Sequence, residues 1–261
     1  MSDESVLYEK QGRVAYVTIN RPERRNAFDP PTRGKLIEAF CEVNGDDDVW
    51  AMVLSGAGDK AFCAGADLKF FDDAAKEGKK YRSTPMEGPE RNVFEVLLET
   101  YKPTIAALNG PAVAGGCELA LACDLRIAAD HVVMGLPEAQ RGMGANFASV
   151  VLPRLVPRGI AFEMLYTGRY IDAEEAKHWG LINKIVPKDD LRDAAKAFAE
   201  DIVGNAPLTQ RRYKQMMAKG EGLPTPSALR LNVGPNPYQS EDREEGARAF
   251  VEKREPQWKG R

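Results

Sequence analysis

Histidine is nearly absent from this chain of 261 residues: only His131 and His178 occur, far apart in sequence. A histidine-rich metal site or a histidine-based catalytic triad is therefore excluded as an expectation. The four cysteines, Cys41, Cys63, Cys117 and Cys123, include no CxxC pair and sit among apolar or small residues, which predicts reduced, buried thiols in a cytosolic protein. No GxGxxG follows the first strand-like run and no GxxxxGK[ST] occurs, so dinucleotide and nucleoside-triphosphate binding lose their usual signatures. There is no excess of basic charge: the formal net charge is −3, which argues against a nucleic-acid surface. No stretch approaches the ~18 apolar residues of a membrane span, and Met1 to Lys10 is polar and acidic rather than a signal segment. The expectation is a soluble, cytoplasmic protein with no metal, nucleic-acid or membrane partner.

What is present is enough apolar sequence, 43% of residues, for one large domain or one domain with an appendage. Val14 to Asn20 alternates and is rich in β-branched residues, as a strand does. Leu36, Ile37, Phe40 and Val43 fall at helical spacing between Pro31 and Val43, and Val49 to Ser55 is an apolar run of strand length. Phe70 to Pro89 is charged and without a clear apolar period, which predicts a mobile flap or a loosely packed helix. Asn92 to Tyr101 is amphipathic and stops at Lys102-Pro103. Farther on, Gly144 to Leu155 reads as helix until Pro153, and Ala161 to Thr167 as helix again. Asp172 with Glu175 spells a capping box for Ala173 to Trp179. Leu181 to Val186 reads as a short strand. Asp193 to Val203 and Thr209 to Lys219 read as helices, and Ser240 as the cap of a last helix reaching Arg254. Alternating strands and helices followed by a helical tail predict an α/β domain ending near residue ~190 with a helical appendage.

The centre of the chain carries the chemistry. Thr104 to Leu108 is a short apolar run; Asn109-Gly110-Pro111 is a turn, and Gly115-Gly116 opens an apolar stretch whose one carboxylate is Glu118. A second run, Leu125 to Ala128, leads to Glu138 behind Gly135 and Pro137. A carboxyl in apolar company loses solvation when ionised, so its pKa rises and it can exchange protons near neutrality. Two such groups facing one volume are pushed apart into an acid and a base. The structural alternatives are a helix N-terminal residue for Glu118, favoured by the dipole, and a solvated turn acid for Glu138. Gly115 at a helix start has a free N–H with the positive end of the dipole behind it. The small-residue loop at Ala64-Gly65 can supply a second donor to one oxyanion. Acids and donors together suit addition to, or elimination from, a conjugated acyl group.

Several stretches now line up with a known pattern: Asn20-Arg21-Pro22 with Asn26-Ala27, Ala61 to Leu68, Lys102 to Gly110, Ala114 to Ala120, Cys123 to Ala128, Leu136-Pro137-Glu138, Thr167-Gly168-Arg169 and Lys253-Arg254. In this order and spacing the chain resembles the crotonase (enoyl-CoA hydratase/isomerase) superfamily over nearly its whole length. The resemblance implies an α/β fold, a crotonase-like spiral of repeated ββα units over residues 1–195. It also implies a C-terminal helical region, 196–261, that packs subunits into homotrimers or dimers of trimers. An acyl-CoA thioester substrate is implied, with coenzyme A as part of the substrate and no other cofactor or metal. By the same resemblance the thioester oxygen sits between the N–H groups of Ala64 and Gly115. Arg25, Ala27, Ala64, Gly65, Ala66, Asp67, Leu68, Gly115 and Gly116 line the substrate, Glu118 activates water, and Glu138 exchanges a proton with the α-carbon.

Filling both acid positions favours hydration of an enoyl-CoA. Δ3–Δ2 isomerisation, a branched, cyclic or polar acyl group, and a non-catalytic acyl-CoA-binding subunit are the other readings. Where many relatives carry a proline and a glycine-rich turn, this chain has Asn146-Phe147, which directs attention to the acyl pocket.

Overall fold

The computed structural model describes residues 4–79 and 91–261. Two strands, β1 (Val6–Gln11) and β2 (Val14–Ile19), form an antiparallel hairpin from Val6 opposite Ile19 to Gln11 opposite Val14. From β2 onward the sheet is parallel, through β3 (Ala51–Gly56) and β4 (Thr104–Leu108). Between them lie α1 (Pro30–Gly45), α2 (Leu68–Lys76) and α3 (Val93–Leu98). A second, three-stranded sheet is built from β5 (Ala112–Val113), β7 (Val133–Gly135) and β8 (Tyr170–Asp172). The main sheet continues with β6 (Leu125–Ala129) and ends at β9 (Lys184–Val186), giving the order β1-β2-β3-β4-β6-β9. All five residues of β4 are buried, as expected of a parallel strand covered on both faces.

The remaining helices are α4 (Gly115–Ala122), α5 (Asn146–Leu155), α6 (Arg158–Thr167), α7 (Ala173–His178), α8 (Leu191–Val203), α9 (Pro207–Gly220), α10 (Thr225–Ala228) and α11 (Glu241–Glu252). α8 packs on β2, β3, β4 and β6, so a boundary at 195/196 would cut a continuous helix that belongs to the core. The helical break falls instead at Gly204–Ala206. Lys214 ties α9 to the sheet, donating to Asp124 Oδ2 (2.8 Å) and to the Lys102 carbonyl (3.0 Å). Residues after α11 fold back on it: Asp242 accepts the N–H groups of Lys259 (2.6 Å) and Gly260 (2.9 Å), and Glu245 accepts from Arg254 and from the Gln257 N–H.

Several local expectations are corrected. Pro153 does not end its helix, and α5 runs two residues beyond it; the Arg154 side chain donates to the Val150 carbonyl in the turn the proline opens. Asp172 caps α7 by accepting the Glu175 N–H at 2.8 Å. The Glu175 carboxylate does not return the bond, because Arg169 holds it through two hydrogen bonds of 2.9 and 2.7 Å. A complete capping box stands at Asn92 and Glu95 instead. The charged segment after Phe70 begins as α2, with Asp67 as its cap; residues 80–90, the rest of that expected flap, lie outside the described residues. Cys63, Cys117 and Cys123 are buried but Cys41 is exposed on α1, so one of the four thiols faces solvent.

Candidate active site

α4 enters the middle of the molecule through an unusual peptide. Ala114 has φ 54° and ψ −129°, a region that only glycine occupies without strain. It is held there from both sides, its N–H donating to the Gly135 carbonyl (2.9 Å) and its carbonyl accepting from Glu118 N–H (3.0 Å). The turn aims the N–H of Gly115, the first residue of α4, out of the helix, and among the described residues it meets no acceptor. Gly116 has to be glycine for space: a Cβ there would stand 2.0 Å from the Cys63 carbonyl oxygen.

Glu118 lies one turn into α4 and is buried. Its Oε1 accepts the N–H of Ala148 at 2.9 Å, the third residue of α5. The first N–H groups of a helix have no internal acceptor and carry the positive end of the dipole, so a carboxylate suits this position. Burial nevertheless dominates and pushes the Glu118 carboxyl up to about 7; the Ala148 and Phe147 N–H groups pull it down, and the charge of Glu138 pushes it up. A group at that value is half ionised near neutral pH.

Glu138 stands in a 3-10 turn, Pro137–Arg141, directly after β7. It is buried, not a solvated turn acid. Burial raises its pKa against the pull of its own backbone N–H and of Arg141. Its Oε2 is inaccessible and, among the described residues, has no hydrogen-bond partner. An orphaned buried carboxylate oxygen is costly enough to call for a ligand or a proton.

The loop expected to supply the second donor runs beside Arg25–Phe28. Phe28 N–H donates to the Gly65 carbonyl (2.9 Å) and Asp67 N–H to the Phe28 carbonyl (3.0 Å), which pairs Ala66 with Phe28 in a parallel bridge. The Ala64 N–H donates to the Arg25 carbonyl at 3.1 Å. Ala64 therefore does not present the free donor the sequence reading assigned to it. Gly65, at φ +85°, reverses the direction of the chain's donors. In a parallel bridge the central residue points both backbone groups away from its partner, so the Ala66 N–H faces away from Phe28. Among the described residues it has no acceptor. Gly65 and Gly115 are in backbone contact, since a Cβ on Gly65 would meet the Gly115 nitrogen at 2.8 Å.

Other assigned residues fall into distinct groups. Arg25 is exposed with φ 52°, Ala27 is buried beneath the loop and Leu68 is exposed at the start of α2. The Asp67 carboxylate is turned inward: it accepts from Arg21 at 2.9 Å and caps α2 through the Phe70 N–H at 3.2 Å. It braces the loop. Sequence reasoning missed Asn26 as the hub behind this loop. Its side chain, wholly buried, accepts Arg21 N–H (3.0 Å) and donates to the carbonyls of Ala57 (2.9 Å) and Ala61 (2.8 Å). The signal was an uncharged polar residue between Arg25 and Ala27 with no helix or strand to belong to. Also missed was the N-terminus of α5 as the partner of Glu118.

Two buried carboxyls, and two N–H groups that meet no acceptor among the described residues, gather around one helix start. A family model described as enoyl-CoA hydratase/isomerase matches residues 9–261. The chain is 38% identical to (E)-benzylidenesuccinyl-CoA hydratase of Thauera aromatica, covering 98% of this chain and 99% of that protein. It is 37% identical to short-chain-enoyl-CoA hydratase of Clostridium acetobutylicum, covering 97% of each. The solved structure of an enoyl-CoA hydratase from Mycobacterium tuberculosis H37Rv superposes with a TM-score of 0.88 at 35% identity, over 98% of this chain and 99% of that one. The chain belongs to the enoyl-CoA hydratase/isomerase family and has the crotonase fold.

Proposed function

We propose that the protein catalyses the reversible addition of water across the 2,3 double bond of an enoyl-CoA thioester. The observation that carries this reading is the pair of buried glutamates, one held ionisable near pH 7 at a helix N-terminus and the other with an orphaned oxygen. In the hydration direction the thioester oxygen takes the N–H groups of Gly115 and Ala66, the latter replacing Ala64. Donors aimed at an oxygen where charge develops stabilise the enolate without reorganising. Ionised Glu118 removes a proton from water as its oxygen bonds to the β-carbon. The π electrons move onto the thioester oxygen, and protonated Glu138 delivers its proton to the α-carbon as the enolate collapses. The raised pKa of Glu138 suits a group that must arrive protonated.

Arg25, Ala27, Gly65, Ala66 and Leu68 line the path of the coenzyme A moiety in this reading, and Asp67 supports it from behind. No cofactor beyond the substrate's own coenzyme A takes part. The core extends through α8, and α9 to α11 form the region where copies of the chain associate in the cytoplasm as trimers or dimers of trimers. Met217, Leu229, Tyr238, Phe250 and Val251 on these elements and their connections are each more than three-quarters exposed, apolar side chains that another copy of the chain would cover.

The test is turnover of enoyl-CoA thioesters followed by loss of the conjugated absorbance. Glu118→Gln and Glu138→Gln are each expected to lower kcat by about 100-fold or more while product binding persists. Full activity in either variant would refute the two-acid mechanism. Turnover of 3-enoyl but not 2-enoyl thioesters would replace hydration by isomerisation.

A further inference from the structure

The relatives named above act on very different acyl groups, so family membership leaves the acyl group open. A row of aromatic rings in the site narrows it. Phe28 lies against Gly115, where a Cβ would meet its Cζ at 2.9 Å. Phe94, on α3, stands edge-on to Phe28 with ring centres 6.4 Å apart. Phe147, on the first turn of α5, packs on Phe94 with centres 5.4 Å apart and planes at 33°. All three are buried, and Phe147 immediately precedes Ala148, whose N–H holds Glu118. The row therefore runs from the residue that would bind the thioester oxygen to the residue that anchors the carboxylate working at the β-carbon.

We propose that Phe147 determines acyl specificity, closing the pocket just past the β-carbon so that the site selects short enoyl groups of about four to six carbons. The proposal rests on the acyl-CoA reading above. A thioester oxygen on Gly115 N–H and a β-carbon at Glu118 leave the next carbons of the chain directed onto the first turn of α5. There the Phe147 backbone is fixed by the helix and its ring is wedged against Phe94. Neither can give way as an exposed side chain would, and each methylene that fails to fit a close-packed pocket costs roughly tenfold or more in kcat/KM.

The experiment compares crotonyl-CoA, 2-decenoyl-CoA and cinnamoyl-CoA as substrates of the wild-type chain and of Phe147→Ala and Phe147→Leu. In the wild type, kcat/KM for crotonyl-CoA should exceed those for the other two by about 1000-fold or more. Phe147→Ala should reduce the gap to 2-decenoyl-CoA by at least tenfold, through KM more than kcat, with Leu intermediate. Equal use of all three substrates by the wild type, preference for cinnamoyl-CoA, or an unchanged ratio in both variants would overturn the proposal. Binding of the saturated butyryl-CoA and decanoyl-CoA, measured by calorimetry on the same proteins, separates this outcome from failure of the hydratase reading. A chain-length preference that Phe147→Ala abolishes, without turnover of any enoyl-CoA, supports Phe147 and sinks hydration. Absence of any preference in wild-type binding overturns Phe147 whatever the turnover. Should Phe147→Ala not fold, Phe147→Leu and the wild-type binding series carry the same test.

Discussion

Proline in place of Ala148 would remove a single hydrogen-bond donor from the Glu118 carboxylate. Ala148 is the third residue of α5, where the N–H has no intrahelical acceptor and donates only to Glu118 Oε1 at 2.9 Å. Proline is tolerated in a first helical turn for the same reason, although Phe147 before it loses some conformational freedom. A hydrogen bond to a charged group is worth about 1.5–3 kcal/mol. At 1.36 kcal/mol per pKa unit, its loss raises the Glu118 pKa by about 1–2 units. The direction follows because the bond favours the ionised form, and removing it leaves burial less opposed. Starting from about 7, the group that is half ionised at pH 7 becomes about 1–10% ionised. A base must be ionised to act, so activity lies on the alkaline side of this pKa. The expected result is a fall in kcat/KM of roughly 5- to 50-fold at pH 7, with the acidic limb displaced to higher pH. Ala148→Gly keeps the N–H and should keep the limb. The assay is a pH–rate profile on all three proteins with thermal melts alongside. An unmoved limb in a folded Ala148→Pro protein, or an equal loss at every pH, would refute Glu118 as the base tuned by α5.

Gly116→Ala should prevent folding or lower Tm by about 6–12 °C, because the new Cβ would lie 2.0 Å from the Cys63 carbonyl and steric insults of this kind cost about 3 kcal/mol or more; a normal melt would show that α4 can shift. A thiol reagent should titrate one cysteine in the native protein, Cys41, and all four after unfolding, since burial pushes the Cys63 and Cys123 thiols up to about 12. Arg254→Ala should release the C-terminal segment, seen as faster proteolysis after α11 and a change in Trp258 fluorescence. Arg254 holds Glu245 at 2.6 Å, and the Trp258 indole N–H reaches the Gly204 carbonyl at 2.8 Å. Unchanged digestion would mean that the bonds to Asp242, Glu245 and the Gly204 carbonyl secure the tail without Arg254.

Much of the sheet was legible in the sequence because its inner strands are mainly apolar and mostly buried: β4 buries all five residues, β3 four of six and β6 four of five. β1 was not, because Glu9, Lys10 and Gln11 on this edge strand are exposed and leave no alternation to read. β5, β7 and β8, at two or three residues each, are shorter than any periodicity. The two carboxylates were visible as charges in apolar company. The direction of a backbone N–H was not, since it depends on dihedrals and neighbours. Ala64 and Ala66 look alike in the chain, and only the turn at Gly65 and the Arg25 carbonyl distinguish them. Glu175 failed as a capping-box partner for a related reason: Arg169 competes for it through two charged hydrogen bonds, stronger than the single bond to a cap.

Ala114 remains an alanine in a conformation made for glycine. Relieving it would be simple, and Ala114→Gly should raise stability if only the folded backbone mattered. Yet glycine would also open alternative orientations of the 114–115 peptide, and with them other directions for the Gly115 N–H. The methyl group opposes this setting, so it is the Gly135 carbonyl and the Glu118 N–H, gripping the backbone of Ala114 from both sides, that fix the direction of the Gly115 N–H. Losing either bond would let the strain relax and turn the Gly115 N–H away from its present direction.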